Sequence, residues 1–221
     1  MAKSYTKFLK YIGNDHGYKS VLCLNGDLPE ADLLSSLDLP IVMADGASHI
    51  IHGSDISPYA IIGDFDSIDT NLFGSHNLVH APDQSTSDFQ KAIAFLEENA
   101  LLPTIVLGAN GGYMDHILNN INILCNGNHT FFAPPIVGHF IDEQKSIKIN
   151  TPLNTKISIL GTPVANVTTQ GLKWNMKNDE ISFFGNNSCF NRSINPEINI
   201  SVSYGKAMVI LYLDDVIDAG C

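Results

Sequence analysis

The chain has 221 residues, of which 44% are apolar and 16% are charged, and its formal net charge is −11. This composition excludes a disordered chain, and the length allows one large domain or two modest ones with a buried core. The acidic charge argues against nucleic acid and anionic membranes as partners, because both attract a basic surface.

The first stretch of the chain, from Met1 to Asp15, is polar and mixed and contains no apolar signal core. The sequence also lacks a run of about 18 apolar residues, the length that spans a membrane. We therefore expect a cytoplasmic protein that does not contact a membrane. The cysteines form no CxxC pair, so a structural zinc site is not expected; they are Cys23, Cys125, Cys189 and Cys221.

The first half contains four short, almost continuously apolar runs, at residues 21–24, 41–44, 60–62 and 104–107. Such runs are typical of strands buried on both faces of a parallel sheet. Ligands of open α/β sheets bind beyond the carboxyl ends of the strands, so we expect the four strand ends to meet at one crevice. These ends carry small, polar or acidic residues, namely Asn25-Gly26-Asp27, Asp45-Gly46, Gly63-Asp64 and Gly108-Ala109.

Helices are predicted between these strands. A short one covers residues 31–37. Two longer ones have apolar residues at helical spacing, and Ser85, Thr86 or Ser87 can cap the first of them. The apolar stripes are Phe89, Ala92, Ile93 and Leu96 in one helix, and Met114, Ile117, Leu118, Ile121 and Leu124 in the other.

After about residue 140 the pattern changes to short, partly alternating runs separated by Gly, Pro and Asn, at residues 146–149, 156–160, 198–202 and 208–211. These runs predict an antiparallel β-sandwich or a small barrel. The expected architecture is therefore an open, mostly parallel α/β sheet with flanking helices over residues 1–140, followed by an all-β sandwich domain over residues 141–221. The boundary is expected within residues 136–145.

The candidate chemical centre is the acidic run Gly63-Asp64-Phe65-Asp66-Ser67, which directly follows a predicted buried strand. At a strand-to-loop turn both carboxylates can reach one ion, and Mg²⁺ prefers such oxygen ligands. Alternatively, the acids cap the next segment or face solvent. Asp45, Asp88 and Asp115 are expected at the same sheet edge, where unpaired carboxylates would repel one another. A cation explains this cluster, although acids in a first helical turn also favour the helix dipole.

The segment Gly108-Ala109-Asn110-Gly111-Gly112 links a predicted strand to a helix, and its backbone N–H groups can form an anion site. A plain tight connection is the alternative. Lys91 can offset phosphate charge or pair with Asp88, and His116 can bind phosphate or merely begin the helix. Neither a P-loop nor a dinucleotide-binding motif occurs.

Trp174 is the single tryptophan of the chain. It belongs to the core of the second domain, or it stacks on a heteroaromatic substrate at a domain edge.

Taken in order over residues 20–213, these motifs resemble the thiamine pyrophosphokinase family. The matching segments are Asn25-Gly26, Ala44 to Ala47, Ile62 to Ser67, Asp83-Gln84 with Ser87-Asp88 and Lys91, Gly108 to Gly112 with Asp115-His116, Asn120-Ile121, Val167 to Trp174, and Ser188 to Asn191. The resemblance implies an α/β catalytic domain followed by a thiamine-binding β-sandwich. It also implies a homodimer with sites built from both subunits, and transfer of a pyrophosphoryl group from ATP to thiamine.

The resemblance also implies roles for individual residues. Asp64 and Asp66 would bind Mg²⁺, and Asp45, Asp88 and Asp115 would complete the acidic cluster, with Asp88 or Asp115 orienting the thiamine hydroxyl. The residues around ATP would be Asn25, Gly26, Asp45, Gly46, Lys91, Gly111, Gly112 and His116. The thiamine contacts would be Gln84, Trp174, Ser188 and Asn191.

The chain departs from the family pattern at several positions. Tyr113 stands where the family has a phosphate-pairing arginine, and a tyrosine can donate one hydrogen bond but carries no charge. Ser87 replaces a threonine, and Phe190 replaces a serine. The family's Gly-Ala-Asn after the Asp-Gly pair becomes Ala47-Ser48-His49.

Two other functions fit parts of the pattern. A metal-dependent nucleotide-sugar transferase would use the same DxD acids but leaves the β-domain unexplained. A thiamine- or nucleotide-binding protein that has lost catalysis would explain Tyr113. The acids that catalysis needs are all present, which favours the enzyme.

Overall fold

The computed structural model describes residues 17–66, 68–74 and 76–213. The N-terminal stretch Met1 to Asp15, Ser67 of the acidic run, and Cys221 lie outside the described residues. The described chain forms two compact units that divide between Ala133 and Pro134. The division falls before strand β7 (Ile136–Ile141), because β7 pairs along its whole length with a strand of the second unit.

The first unit contains a parallel sheet. Its strands are β1 (Ser20–Cys23), β2 (Ile41–Ala44), β3 (Ala60–Gly63), β4 (Leu78–His80), β5 (Thr104–Leu107) and β6 (Thr130–Ala133). They lie side by side in the order β6-β5-β1-β2-β3-β4, and all five pairs are parallel. The four predicted strands are the four in the middle of this order. Strands β4 and β6 were not predicted. β4 is only three residues long and is not fully buried. β6 is buried at all four positions and has the apolar run Phe131-Phe132-Ala133, a signal in the sequence that was overlooked.

The α-helices described in this unit are α1 (Ala31–Ser35), α2 (Asp88–Glu98) and α3 (Met114–Gly127), and two 3₁₀ helices cover Asp45–Ile51 and Thr70–Phe73. Of the three capping residues considered, Ser87 caps α2: its Oγ accepts from the Gln90 N–H, and Gln90 Oε1 accepts from the Ser87 N–H. The predicted stripe on α3 is only partly buried. Leu124 is buried, whereas Met114 and Leu118 are exposed.

The second unit is antiparallel and strand-rich. It contains β7, β8 (Lys145–Asn150), β9 (Lys156–Gln170), β10 (Lys177–Ser182), β11 (Ser188–Arg192) and β12 (Glu197–Tyr212). The two long strands β9 and β12 pair with each other, and register shifts near residues 202–207 interrupt the pairing. Side chains from both halves of β9 and β12 meet in one buried cluster, including Ile159, Val167, Ile200 and Val209. The predicted fold class, an α/β sheet followed by a β domain, is confirmed.

Every helix in the described part of the chain falls short of the length and apolarity that a membrane-spanning helix requires.

The thiol of Cys23 is expected to resist alkylation in the folded protein. Its side chain is fully buried in the first unit, and burial raises its pKa to about 12. At pH 8 such a thiol is ionised in on the order of one molecule in 10⁴, and the thiolate is the reactive form. Iodoacetamide treatment followed by peptide mass spectrometry should find Cys23 unmodified. The exposed Cys189 is the internal control and should be modified under the same conditions.

Labelling should become equal when guanidinium unfolds the chain, because both thiols then have ordinary pKa values. Modification of Cys23 at the rate of Cys189 in the folded protein would contradict the burial of this thiol.

Candidate active site

The loops that follow β1 and β5 lie against each other. The Asp27 N–H donates to the Asn110 carbonyl at 2.8 Å, and the Asn110 side-chain amide donates to Asp27 Oδ2 at 3.1 Å. Gly26 approaches this loop so closely that a Cβ there would lie 2.1 Å from the Asn110 carbonyl oxygen. Glycine is therefore required at position 26 if the two loops are to meet.

A cleft of about 600 Å³ opens beside these strand ends. Most of the predicted residues of the first unit line it: Asn25, Asp64, Asp66, Gln84, Asp88, Lys91, Gly111, Gly112 and His116. Tyr113 is also in the wall, together with Thr86, which was considered above only as a helix cap, and Asn119, for which no role was predicted. Polar residues of this kind carry no distinctive motif, so only their position reveals them.

Asp45 lies behind the cleft wall and is 2% exposed. Its carboxylate accepts hydrogen bonds from the backbone N–H groups of Gly46 and Phe65, the latter at 3.1 Å. Burial raises the pKa of Asp45, and the negative charges of Asp88 and Asp64 act in the same direction. These effects disfavour the charged form in the absence of a cation.

The backbone between Asp64 and Asp66 turns sharply, because Phe65 has a φ of 64°, in the left-handed region. This turn lets both side chains of the DxD pair point toward one place. Carboxylate oxygens of Asp45, Asp64 and Asp66 all lie within 4.8 Å of one another. The three acids can therefore hold one divalent cation.

Gly63 makes this arrangement possible. A Cβ at position 63 would lie 2.6 Å from the side-chain carbon of Asp45 that bears the carboxylate oxygens. Any other residue would displace the buried acid from the turn that it stabilises.

Gln84 is engaged within the first unit, with its side-chain amide donating to Asp64 Oδ2 at 2.5 Å. This bond, followed by a bond from the Asp66 N–H, lowers the pKa of the exposed Asp64 carboxylate. The residue that the resemblance assigned to thiamine thus orients a candidate metal ligand in this structure.

Lys91 is the single Lys or Arg among the described residues that line the cleft. Its ammonium donates to Asp88 Oδ1 at 3.0 Å, and its side chain is mostly buried. Burial lowers its pKa, but the bond to Asp88 and the charges of Asp88, Asp64 and Asp45 outweigh that effect and leave the pKa raised. Lys91 therefore carries its positive charge into the cleft.

The glycine-rich loop continues into the N-terminus of α3. Gly108, Gly111 and Gly112 all have positive φ angles. Tyr113 is the N-cap residue and its side chain makes no capping bond, and the first-turn N–H of His116 donates instead to the Asp115 carboxylate. Such a terminus attracts anions.

Asp115 lies in the first turn of α3 but is not among the residues lining the cleft. It is exposed, and its carboxylate accepts from the His116 N–H at 3.0 Å. A favourable position near the helix N-terminus accounts for this acid without a ligand. Of the two acids predicted to orient the substrate hydroxyl, only Asp88 lines the cleft.

Tyr113 is 76% exposed, and its ring makes an edge contact with the His116 ring at a centroid distance of 5.9 Å. Both side chains line the cleft, so an aromatic pair occupies the place where the family pattern has a cation.

The remaining predicted residues lie in the second unit. Trp174 is 57% exposed, so the interpretation of Trp174 as a core residue is wrong. The Lys173 ammonium lies 4.6 Å from the centroid of its ring. Asn191 is buried and bonded to Trp174 and Ser188, so these three residues form one local group.

Family models match both units. The model of the thiamin pyrophosphokinase catalytic domain matches residues 31–132, and that of the thiamin pyrophosphokinase vitamin B1 binding domain matches residues 139–209. Together these two models cover most of the chain.

Named relatives agree with the family models. "Thiamine pyrophosphokinase 3" of Oryza sativa subsp. japonica is 30% identical over 171 residues, which are 64% of this chain and 63% of the relative. "Thiamine pyrophosphokinase 2" of Arabidopsis thaliana is 30% identical over 148 residues, which are 58% of this chain and 55% of the relative. The chain thus spans less than two thirds of the length of these curated relatives.

Solved structures agree on the fold. Yeast thiamin pyrophosphokinase superposes with a TM-score of 0.75 at 20% identity, over 96% of this chain and 92% of that one. The thiamine pyrophosphokinase of Bacillus subtilis superposes with a TM-score of 0.74 at 20% identity, over 88% of this chain and 99% of that one.

Removal of one charge from the acidic cluster is expected to weaken binding of a divalent cation. Asp64→Asn and Asp66→Asn each replace a charged oxygen ligand by a neutral amide, so the affinity for Mn²⁺ should fall by roughly 10- to 100-fold or more. The measurement is the electron paramagnetic resonance signal of free Mn²⁺ during titration.

Asp55→Asn is the matched control, since it removes the same charge from an exposed loop outside the cluster. It should bind Mn²⁺ with wild-type affinity. Wild-type affinity in Asp64→Asn would show that the three acids do not form the metal site.

Proposed function

The chain belongs to the thiamine pyrophosphokinase family, and on that premise we propose that it transfers the pyrophosphoryl group of ATP to the hydroxyl of thiamine. The products are thiamine diphosphate and AMP. The observation that carries this proposal is the cleft in which the acids Asp64 and Asp66 and the glycine-rich loop line one space. A cation site and an anion site in one cleft suit a metal–nucleotide complex.

Asp45, Asp64 and Asp66 would hold the Mg²⁺ that accompanies ATP. Their oxygen atoms are the right donors, and their mutual approach within 4.8 Å is unfavourable without a cation. When bound, Mg²⁺ would offset the charge that develops on the phosphates during transfer. The main tasks left to the protein are to position the reactants and to complement their charge.

The ATP phosphates would lie against the N–H groups of Gly111, Gly112 and the first turn of α3. Lys91, which also lines the cleft, would contribute positive charge and is held in place by its bond to Asp88. Lys91 is thus the single positively charged side chain described in the cleft that can pair with ATP. Nucleotide binding is therefore strongly metal-dependent in this proposal.

Asp88 would orient the thiamine hydroxyl and accept its proton as the hydroxyl attacks the β-phosphorus in line. Its carboxylate lines the cleft and is 40% exposed, whereas Asp115 does not line the cleft. A positioned carboxylate within reach of the hydroxyl is the usual acceptor in such transfers.

Trp174 would stack on a ring of thiamine. Its exposed indole in a β domain offers a flat surface for a heteroaromatic cation, and Lys173 occupies one side of that ring. A homodimer with sites shared between subunits is part of the same proposal, since the family resemblance implies it. The cytoplasmic location remains a prediction from the sequence.

The decisive experiment incubates the protein with ATP, Mg²⁺ and thiamine and then separates the nucleotides and thiamine esters. AMP with thiamine diphosphate supports the proposal. ADP with thiamine monophosphate would replace it by simple phosphorylation. Asp64→Asn and Asp66→Asn should abolish turnover with an unchanged circular dichroism spectrum, and substantial residual activity would contradict the metal assignment.

A binding protein without catalysis is the second candidate, and the observation that favours it is the uncharged Tyr113 in the cleft wall. Calorimetric binding of thiamine or nucleotide without turnover would support this candidate. A nucleotide-sugar transferase would instead release sugar from a sugar nucleotide and form no AMP.

Tyr113→Arg is expected to lower the KM for ATP severalfold. An arginine at this position would pair with phosphate oxygens through two charge-assisted hydrogen bonds, which a phenol cannot make. The measurement is initial rate against ATP concentration at saturating Mg²⁺ and thiamine.

Tyr113→Phe is the control, because it keeps the ring and its contact with His116 while removing the hydroxyl. It should leave the KM for ATP close to that of the wild type. An unchanged or higher KM in Tyr113→Arg would mean that residue 113 does not face the phosphates.

A further inference from the structure

We propose that Asn191 is a positioning residue, whose buried side-chain amide fixes the backbone of Trp174 and thereby the direction in which the indole meets thiamine. The inference rests on the proposed function, and it assigns Asn191 a different task from the direct thiamine contact that the family resemblance implied. Three observations support the inference: the bonds made by the Asn191 amide, the burial of that side chain and the exposure of Trp174.

Asn191 has no hydrogen-bonding capacity left for a substrate. Its Oδ1 accepts from the N–H groups of Trp174 at 3.2 Å and Arg192 at 2.9 Å. Its Nδ2 donates to the Trp174 carbonyl at 2.7 Å and to Ser188 Oγ at 3.1 Å. An asparagine amide offers two acceptor sites and two donors, and all four are used. The residue is 1% exposed, so a ligand cannot reach it.

The two bonds to Trp174 are of a special kind. One side chain accepts from the N–H and donates to the C=O of the same residue, as a neighbouring β-strand would do. This pairing fixes the peptide planes on both sides of the Trp174 Cα, and those planes set the direction of the Cα–Cβ bond. The Asn191 amide therefore holds the backbone of one loop residue by the same pair of hydrogen bonds with which a sheet holds a strand residue.

Trp174 needs such support because it has no regular secondary structure of its own. Residues 173–175 lie between β9 and β10 and belong to neither a helix nor a strand. The neighbouring Leu172 is fully buried and pairs with Ser193, and the Lys173 N–H donates to the Arg192 carbonyl at 2.8 Å. These contacts anchor the base of the loop. The exposed indole itself has little packing to hold its backbone.

Asn191 also orients the hydroxyl of Ser188. Because Ser188 Oγ accepts from the Asn191 amide, the Ser188 hydroxyl hydrogen points elsewhere and is available to a ligand. One buried amide thus sets up two predicted substrate contacts, one aromatic and one polar.

The test uses the fact that Trp174 is the only tryptophan, so intrinsic fluorescence reports on this residue alone. Time-resolved anisotropy of the ligand-free protein measures the local motion of the indole. In Asn191→Ala we expect a larger fast component of the anisotropy decay. Thiamine titration by tryptophan quenching should give a Kd roughly tenfold higher, because a misplacement of about 1 Å can cost up to a hundredfold.

Steady-state kinetics separates positioning from general damage. The KM for thiamine should rise about as much as the Kd, while the KM for ATP stays within about twofold of the wild type, because Asn191 is buried in the second unit and makes all its bonds there.

Asn187→Ala is the matched control. Asn187 lies in the same unit, its Oδ1 accepts from the Gly161 N–H at 3.0 Å, and its Nδ2 donates to the Ser182 carbonyl at 2.8 Å. This variant loses comparable bonds away from Trp174, so the anisotropy and the Kd for thiamine should remain those of the wild type.

Asn191→Ser guards against loss of folding in the alanine variant. Serine is neutral and polar, but its single short hydroxyl cannot pair with both the N–H and the C=O of Trp174 as the amide does. We expect increased indole motion and a Kd above the wild-type value. Wild-type anisotropy and Kd in both Asn191 variants would overturn the inference.

The wild-type protein tests the proposed function separately from the positioning role of Asn191. If the wild-type protein neither binds thiamine nor forms thiamine diphosphate, the proposed function fails, and with it the link from Asn191 to thiamine. Wild-type binding with unaltered Asn191 variants overturns the positioning role alone.

Discussion

The hydrogen bond from the Phe65 N–H to the buried carboxylate of Asp45 is the interaction on which the rest of the cleft depends. It joins the end of β2 to the turn after β3 and holds Phe65 in a left-handed conformation, which brings Asp64 and Asp66 close to Asp45. The buried carboxylate has an electrostatic cost, because burial and the neighbouring acids raise the pKa of Asp45, and the bond from Phe65 opposes that shift. Strain and unfavourable charge gathered at one point are typical of a functional site on a rigid scaffold.

The parallel sheet supplies that scaffold. Its central strands are fully buried, so their carboxyl ends are fixed in register, and the loops that follow them inherit those positions. Small residues at the strand ends then decide how closely the loops approach. Gly63 leaves space for Asp45, and Gly26 leaves space for the Asn110 backbone. The same loops carry the candidate ligands, as is common where a rigid fold positions functional residues on connecting segments.

The second unit positions its exposed aromatic residue by a different device. Trp174 lies in a short loop between two strands, and a buried asparagine replaces the strand neighbour that the loop lacks. A rigid indole loses little conformational entropy when a planar ligand stacks on it, and this advantage depends on a fixed backbone. Gln84 bonds to Asp64, and Asn191 bonds to Ser188. In both cases a polar residue of a binding motif can act by orienting another residue of the site instead of contacting the ligand.

The amino-acid sequence by itself determined the fold class, the four central strands and the acidic and glycine-rich loops at their ends, because buried parallel strands leave a continuous apolar pattern. It could not reveal the three-residue strand β4, whose partly exposed run lacks that pattern, whereas β6 does carry a short apolar run and could have been predicted. It also could not distinguish Asp88, which lines the cleft, from Asp115, which does not, since both are acids in a first helical turn. Only the tertiary structure decided those positions, the burial of Asp45 and the bonding of Asn191. Contacts between residues far apart in the chain set the partners and solvent exposure of a side chain, and local spacing carries no record of them.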